Sequence, residues 1–462
     1  MIELKAQVAR ADGDYVYLPF DVPEGTSRVD VTLSYPKAPD CVIDLGLLDC
    51  RAGAFPTQRG FRGWSGGARD GFFVATDDAT PGYLAGPMPA GVWNVMLGLY
   101  RLPEAGAEVV VTVALQDSPR PAFVAAAPST ACRPGAGWYR GDLHCHTWHS
   151  DAAGSPALLH AAAVQAGLDF LAVADHNTIS QWSYFDDASS PDLVFVRAME
   201  VTTARGHANV FGTEGWVDFR ITCDEDVSLM AGEVARKGGL LSVNHDKPTI
   251  PWDHPLPRID CMEVWQSAWL AGNWISLARY QDRLAQGLRI SAIGGSDYHQ
   301  PSRLRPEGAF VLARPTTVLW MEELSEANVL AAMKAGRGYV TESPTGPHLS
   351  ITVGGVPMGG QATSAQMAVA EVRGAVGDLL VWNDATGVIA EMEIAADGLM
   401  TFDLEAQGFL RAEIIARASQ VRLLAEVQAA MLEETDDFPA PPDAELSRLR
   451  RSISNPVYLS RA

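Results

Sequence analysis

The chain has 462 residues, 47% of them hydrophobic and 20% charged, which is too long for one ordinary core and predicts two to four globular domains. Its formal net charge of −21, with no local Lys/Arg cluster to offset it, argues against nucleic acid or anionic membrane surfaces as partners. Cys41, Cys50, Cys132, Cys145, Cys223 and Cys261 show no CxxC spacing, so they read as reduced thiols rather than a zinc knuckle or a small disulfide scaffold.

The opening MIELKAQVARADGDYVYL has no basic start followed by an apolar core, and no later segment is an apolar run of spanning length; the expectation is a cytoplasmic protein. From Tyr15 to about Leu115, short alternating runs (YVYLPFDV, RVDVTLSY, CVIDLGLLD, GFFVATDD, VWNVMLGLY, AEVVVTVAL) are separated by Pro, Gly and Asp turns. They predict an antiparallel sandwich. DSPRPAFVAAAPSTACRPGAG follows as a linker without a period, so the first domain spans 1–136.

Over 137–340 the pattern changes to apolar strands (DFLAVAD, DLVFVRAME, ANVFG, GLLSVNH, DCMEVW, RISAIGGSD, AFVLA) alternating with helical segments such as SPALLHAAAVQAG and SLARYQDRLAQG. Strand–helix alternation predicts a largely parallel sheet or barrel, with functional groups at the carboxyl ends of the strands. Strand patterns return over 341–462 (HLSITV, AQMAVAEVR, DLLVWND, VIAEMEIA, LMTFDLE, FLRAEIIA) and predict a second small sandwich. A helix over Ala418–Glu434, an acidic Pro-rich loop and a final strand in SNPVYLS complete the chain.

Six of only ten histidines, His144, His146, His176, His207, His245 and His299, fall where the central hydrophobic runs break off, beside Asp151, Glu200 and Asp297. Singly, each is a common turn or capping residue; together they are a metal-ligand inventory. Imidazole nitrogen mixed with carboxylate oxygen suits zinc, manganese or iron rather than magnesium or calcium. His144 and His146 stand two apart on a strand end, so their rings face one side, while Cys145 between them points into packing. His149 is out of register and reads as non-ligating.

The order of GDLHCHTWHSD, ADH, a Glu with a trailing His, an Asn-His pair and SDYH resembles the PHP superfamily, the polymerase-and-histidinol-phosphatase metalloenzymes, over Trp138 to about Val340. The flanking FRGWSGG, ATPGYLAGP, GRGYVTESPTGPHLSI and SNPVYL resemble its carbaryl-hydrolase-like branch. The resemblance implies a multidomain α/β plus all-β chain: a distorted (β/α)7 barrel between an N-terminal and a C-terminal β-sandwich. It also implies two or three divalent ions. His144, His146, Glu200 and Asp297 would hold the first; Glu200, as bridging carboxylate, with His207 and His245 the second; Asp151, His176 and His299 a third. Asp151 stands where some members have His, and Asn244-His245-Asp246-Lys247-Pro248 interrupts the familiar Asn-His-Pro.

The implied chemistry is attack on phosphorus or a carbonyl carbon by a hydroxide bridging two dications. Glu200 would anchor that centre; Asp175 would orient a ligand or relay a proton, with plain hydrogen bonding behind the ligands the favoured alternative; and His299 would protonate the leaving group only where metal does not claim it. Arg303, Lys247, Arg205 and Arg197 are the candidate clamps for a phosphate or carboxylate, with Tyr298 a candidate donor. Trp252, Trp265 and Trp269 read equally as an aromatic wall or as core, and FRGWSGG as a lid or as turns. The leading expectation is a phosphoesterase for a small phosphomonoester or phosphodiester; the rival is a carbamate, ester or amide hydrolase. A non-catalytic binding protein is the third reading. A small-molecule ester is the expected partner, and a homo-oligomer is left open.

Overall fold

The computed structural model describes residues 1–124, 126–299, 311–363, 367–403, 405–417 and 441–460. The first eight strands are β1 (Ile2–Val8), β2 (Tyr15–Val22), β3 (Arg28–Ser34), β4 (Val42–Leu48), β5 (Phe61–Gly66), β6 (Gly71–Ala75), β7 (Gly91–Arg101) and β8 (Ala107–Gln116). They form two antiparallel four-stranded sheets, ordered β1-β8-β3-β6 and β2-β7-β4-β5. The period-two pattern sends Val29, Val31 and Leu33 of β3 inward against Leu45, Leu47, Val95 and Val111. The expected sandwich thus forms, with β1 and β5 added to the strands legible in the sequence.

The central strands are β9 (Cys132–Cys145), β10 (Phe170–Val173), β11 (Val194–Thr203), β12 (Gly206–Phe211), β13 (Leu240–Val243), β14 (Cys261–Gln266) and β15 (Ser291–Gly295). Between them lie α1 (Pro156–Gln165), α2 (Trp182–Ala188), α3 (Asp224–Arg236) and α4 (Asn273–Ala285). Ladders β9-β10-β11 and β13-β14-β15 are parallel, but β12 runs antiparallel to both β11 and β13. Seven strands alternate with helices only in part, because the turn at Ala204–Arg205 folds β11 directly onto β12. The molecule is a mixed α/β chain with much sheet and few helices.

The last central strand returns beside the first. The Asp297 amide donates to the His144 carbonyl at 2.7 Å, and a Cβ on Gly295 would sit 2.3 Å from the His144 Cβ, so only glycine permits this approach. Asp142 fastens the same seam. It accepts from the amides of His144 and Ser296 (both 3.0 Å) and Ala313 (2.7 Å).

Two sequence expectations shift here. The last six residues of the expected linker, from Cys132, extend β9 and pair with β16 (Thr316–Ser325). AFVLA is no strand in its described part: Val311–Pro315 form a turn with Ala313 at φ 61°, held by its bond to Asp142.

Beyond α5 (Glu326–Ala335) and β17 (Gly338–Thr341) come β18 (His348–Val353), β19 (Val356–Pro357), β20 (Gln361–Thr363), β21 (Ala368–Arg373), β22 (Leu379–Asp384), β23 (Gly387–Glu393), β24 (Gly398–Phe402), β25 (Phe409–Ile415), β26 (Arg450–Ser454) and β27 (Val457–Ser460). The sheet β19-β18-β21-β24 packs on β26-β25-β22-β23, and the latter continues the central sheet through β9-β16-β17. Val318 and Tyr339 of the central strands accordingly share one core with Leu349, Trp382 and Ile414. The expected helix over Ala418–Glu434 lies outside the described residues. No helix among the described residues is long and apolar enough to cross a membrane.

Candidate metal centre

All nine candidate ligands converge at the carboxyl end of the central strands. His144 ends β9 and His146 follows it; Glu200 lies on β11, His207 on β12, and His176, His245, Asp297 and His299 just beyond β10, β13 and β15. Asp151 sits on the loop after β9. His245 (φ 24°) and Asp297 (φ 52°) adopt backbone conformations rare for side-chain-bearing residues, so the fold holds them in place against local preference.

Glu200 is fully buried at the middle. Its Oε1 lies 3.3 Å from His144 Nε2, 3.3 Å from His245 Nε2 and 3.4 Å from His207 Nδ1; its Oε2 lies 2.8 Å from His176 Nδ1 and 3.7 Å from His146 Nε2. Asp297 Oδ1 lies 3.0 Å from His146 Nε2 and 3.3 Å from His144 Nε2. At the outer edge, Asp151 Oδ1 lies 3.3 Å from His299 Nε2 and 3.5 Å from His176 Nε2.

Charge follows from this crowding. Burial raises the Glu200 carboxyl, but His144, His207 and His176 outweigh it and hold the group well below the usual carboxylate range. Asp297 is likewise raised by burial and lowered further by His144 and His299. Burial, together with His299 and His176, pushes the His146 imidazole down to about 3, so the ring stays neutral and offers one nitrogen lone pair.

The unmatched atoms test whether metal fits. His144 Nε2, both ring nitrogens of His146, Glu200 Oε2, His207 Nδ1, His245 Nδ1 and Asp297 Oδ1 are buried without a hydrogen-bond partner. Each orphan in an apolar interior costs about 1–3 kcal/mol, and a divalent ion satisfies several at once. Ligand atoms within 4.8 Å of one another form four groups: His146/Asp151/His176/His299, His144/His146/Asp297, His144/Glu200/His245 and His176/Glu200/His207. Nitrogen and carboxylate oxygen in this ratio fit zinc, manganese or iron. The grouping differs from the family-based partition at two points: His146 also joins the outer set, and His176 rather than His245 stands with His207.

Supporting groups orient the imidazoles. Glu263 accepts at His144 Nδ1 (2.9 Å) and from the His245 amide (2.9 Å). Asn244 donates to Glu200 Oε1 at 2.8 Å, and Gln266 to Asp297 Oδ2 at 2.9 Å. Glu263, Gln266 and Asp142 were not singled out in the sequence. Glu263 lies within an otherwise apolar strand run, and an acid there is the one signal that was available.

Asp175, a candidate proton relay, does another job. Its carboxylate accepts from the Thr147 amide (2.8 Å), Thr147 Oγ1 (2.7 Å) and Ser150 Oγ (2.7 Å), fixing the loop that carries Asp151. Burial lifts that carboxyl to about 6 despite the three bonds. His149 pairs with Ser180 Oγ at 2.7 Å, and Cys145 is buried with its thiol on the Ala172 carbonyl, as non-ligands.

Of the expected clamps among the described residues, only Arg205 lines the cavity. Arg197 pairs with Asp186 at 2.5 Å and lies over the Trp182 ring. Lys247 is fully buried and donates to Gln266 Oε1 at 2.6 Å, behind Asp297. Tyr298 is buried in the α1 core, and its carbonyl accepts from the His146 amide. Arg205 reaches the rim, engaged by Asp224 Oδ1 (2.9 Å) and the Asp253 carbonyl (2.6 Å). Arg303 lies outside the described residues. Trp252, Trp265 and Trp269 belong to the largest core cluster and are absent from the lining of the cavity over Asp151, His176 and His207.

The wall comes from the N-terminal sandwich instead. A cavity of about 550 Å³ opens over Asp151, His176 and His207 and is closed opposite them by Tyr15, Val42, Asp44, Trp64, Gly66 and Leu99. Trp64 and Gly66 belong to FRGWSGG, which is strand β5 rather than a loop; it reaches the centre as part of a sheet.

No family model matches the chain, and no curated protein matches it. Among solved structures, it is similar to a two-domain protein from Bacteroides vulgatus containing a predicted PHP-like metal-dependent phosphoesterase, at 15% identity over 73% of this chain and 100% of that one, with a TM-score of 0.39. A protein from Bifidobacterium adolescentis proposed to be a metal-dependent phosphoesterase aligns at 16% identity over 36% of this chain and 89% of that one, TM-score 0.26. An amidohydrolase from Chromobacterium violaceum, with bound sulfate and no metal, aligns at 13% identity over 35% and 88%, TM-score 0.26.

Proposed function

We propose that the chain is a metal-dependent hydrolase of the PHP type that cleaves a small ester, with a phosphodiester or phosphomonoester as the first substrate class. The observation that carries this reading is the set of unmatched buried polar atoms around Glu200, supplied by residues on or just beyond five separate strands. His144, His146, Asp297 and Glu200 would hold one divalent ion, Glu200 with His207 and His245 a second, and Asp151, His176 and His299 a third. Such ions, when bound, acidify water and neutralise charge on the ester oxygens.

The chain's own residues supply the rest. Glu200 reaches both inner groups of imidazoles and fixes their spacing. Glu263 and Asn244 hold His144 and Glu200 in one orientation. Where no third ion is bound, His299, with Nε2 3.3 Å from Asp151 Oδ1, is the candidate proton donor to the departing oxygen. Tyr15, Trp64 and Leu99 exclude water from the opposite side.

A second reading, hydrolysis of a carbamate, carboxylic ester or amide, is favoured by that wall. Its apolar surface, joined by Asp14 and Asp44, suits a neutral ester better than a doubly charged phosphate. Protein reconstituted with manganese, zinc or iron is to be assayed side by side on a bis-aryl phosphate, an aryl phosphate and a naphthyl carbamate. We expect the diester to turn over fastest. Carbamate turnover exceeding both phosphates by orders of magnitude would replace the first reading with the second, and no turnover of any ester by the metal-loaded protein would end both.

A further inference from the structure

The wall opposite the candidate metal centre carries a carboxylate with no partner. Asp44, on β4, lines the cavity together with His176, and among the described residues its side chain accepts no hydrogen bond and forms no ion pair. The sheet leaves room around it. A Cβ on Gly98, its cross-strand neighbour, would stand 3.2 Å from Asp44 Oδ2, and Cβ atoms on Gly67 and Gly66 would stand 3.6 and 3.8 Å from Oδ1. A Cβ on Gly98 would also stand 2.6 Å from Trp64 Cη2, so glycine there lets the Trp64 ring lie against Asp44.

The neighbours of that space are aromatic. Tyr15 and Trp64 meet edge to face at 6.3 Å, and Tyr100 lines the cavity with them. Desolvation makes an unpaired carboxylate costly here, and burial pushes the Asp44 carboxyl up to about 7. Ring faces beside a lone carboxylate attract one kind of group above others, a cation on an apolar body. The one arginine in the lining, Arg205, is already engaged by Asp224 and Asp253, so an anionic tail would meet Asp14 and Asp44 without compensation.

We propose that Asp44 is a specificity-determining residue of the N-terminal sandwich, which receives an ammonium group borne by the substrate's leaving group while the ester is held at the metal centre. The role toward a leaving group rests on the hydrolase reading; the cation site itself does not.

The test is therefore a binding measurement. Choline and its neutral isostere 3,3-dimethylbutan-1-ol are titrated into the metal-loaded protein and followed by ligand NMR. Wild type should bind choline about tenfold more tightly than the alcohol, and Asp44→Asn should bring the two within about twofold. A carboxylate serving only the fold would leave the ratio unmoved. Equal affinities in the wild type overturn the proposal even if no variant folds, and so does a preference that survives in both Asp44→Asn and Asp44→Ser. Failure to hydrolyse any ester would sink the hydrolase reading and leave this ratio as it stands.

Discussion

Glu263 Oε1 lies 2.9 Å from His144 Nδ1, and this contact decides which nitrogen of His144 serves the centre. With Nδ1–H directed at the carboxylate, Nε2 faces Glu200 and Asp297 with its lone pair free. The other oxygen of Glu263 accepts from the His245 amide, so a single acid orients ligands on two different strands. Glu263→Gln cannot accept at both places, because its amide nitrogen is a donor facing a donor. Metal affinity should fall about 10- to 100-fold with the fold retained, as read by competition with a chromogenic chelator and by circular dichroism.

Glu200→Gln removes the negative charge shared by two inner ligand groups. Metal content by mass spectrometry should drop by at least one ion per chain, and hydrolysis by about 100-fold or more. Full metal content with an unchanged rate would show that Glu200 does not organise the centre.

Asp142 ties three backbone amides at the seam between β9 and β15. Asp142→Asn replaces one acceptor with a donor against an N–H, so the variant should lose about 2–3 kcal/mol in chemical denaturation. A change within experimental scatter would mean that the seam closes without it.

Arg69 of the N-terminal sandwich donates to the carbonyls of Ser150 (3.2 Å) and Trp148, gripping the loop before Asp151. Arg69→Ala should free that loop and weaken the outermost ion about tenfold while the inner ions stay bound. Metal titrations that lose all sites together would place the loop's support elsewhere.

The Asp44 carboxyl stands near 7 in the fold against an ordinary value of 3.8, so between these values the native state holds a proton that the unfolded chain releases. Stability from this group is full below about pH 4 and is lost as pH rises through about 7. Tyr15, Tyr83 and His176 are titratable neighbours that share its field. Asp44→Asn abolishes the penalty. Its apparent melting midpoint should match wild type near pH 4 and exceed it by about 2–4 °C near pH 8. A gap that shrinks with rising pH would contradict the half-buried, partnerless carboxyl.

Much of the centre was legible because metal ligation needs particular atoms. His144, His146, Glu200, His207, His245 and Asp297 are chemically distinctive and stand where apolar runs stop, so they can be picked out without knowing the fold. Arg197, Lys247 and Tyr298 lie as near to these motifs along the chain, yet they face the outer surface, the polar layer behind Asp297 and the α1 core. Adjacency along a strand does not fix direction, and a cation's partners, Asp186 or Gln266, come from distant segments.

The strand runs, the candidate nitrogen-and-oxygen ligands and the strand ends that present them can be read from residue order alone, because period, residue chemistry and turn signals are local properties. That β5 faces the centre, that Tyr15 and Trp64 rather than Trp265 and Trp269 line the cavity, and that Asp44 lines it together with His176 emerge only in three dimensions. The C-terminal strands likewise extend the central sheet only once β26 pairs with β17. These arrangements depend on how whole sheets dock, and docking is set by shape and burial summed over many residues rather than by any short motif.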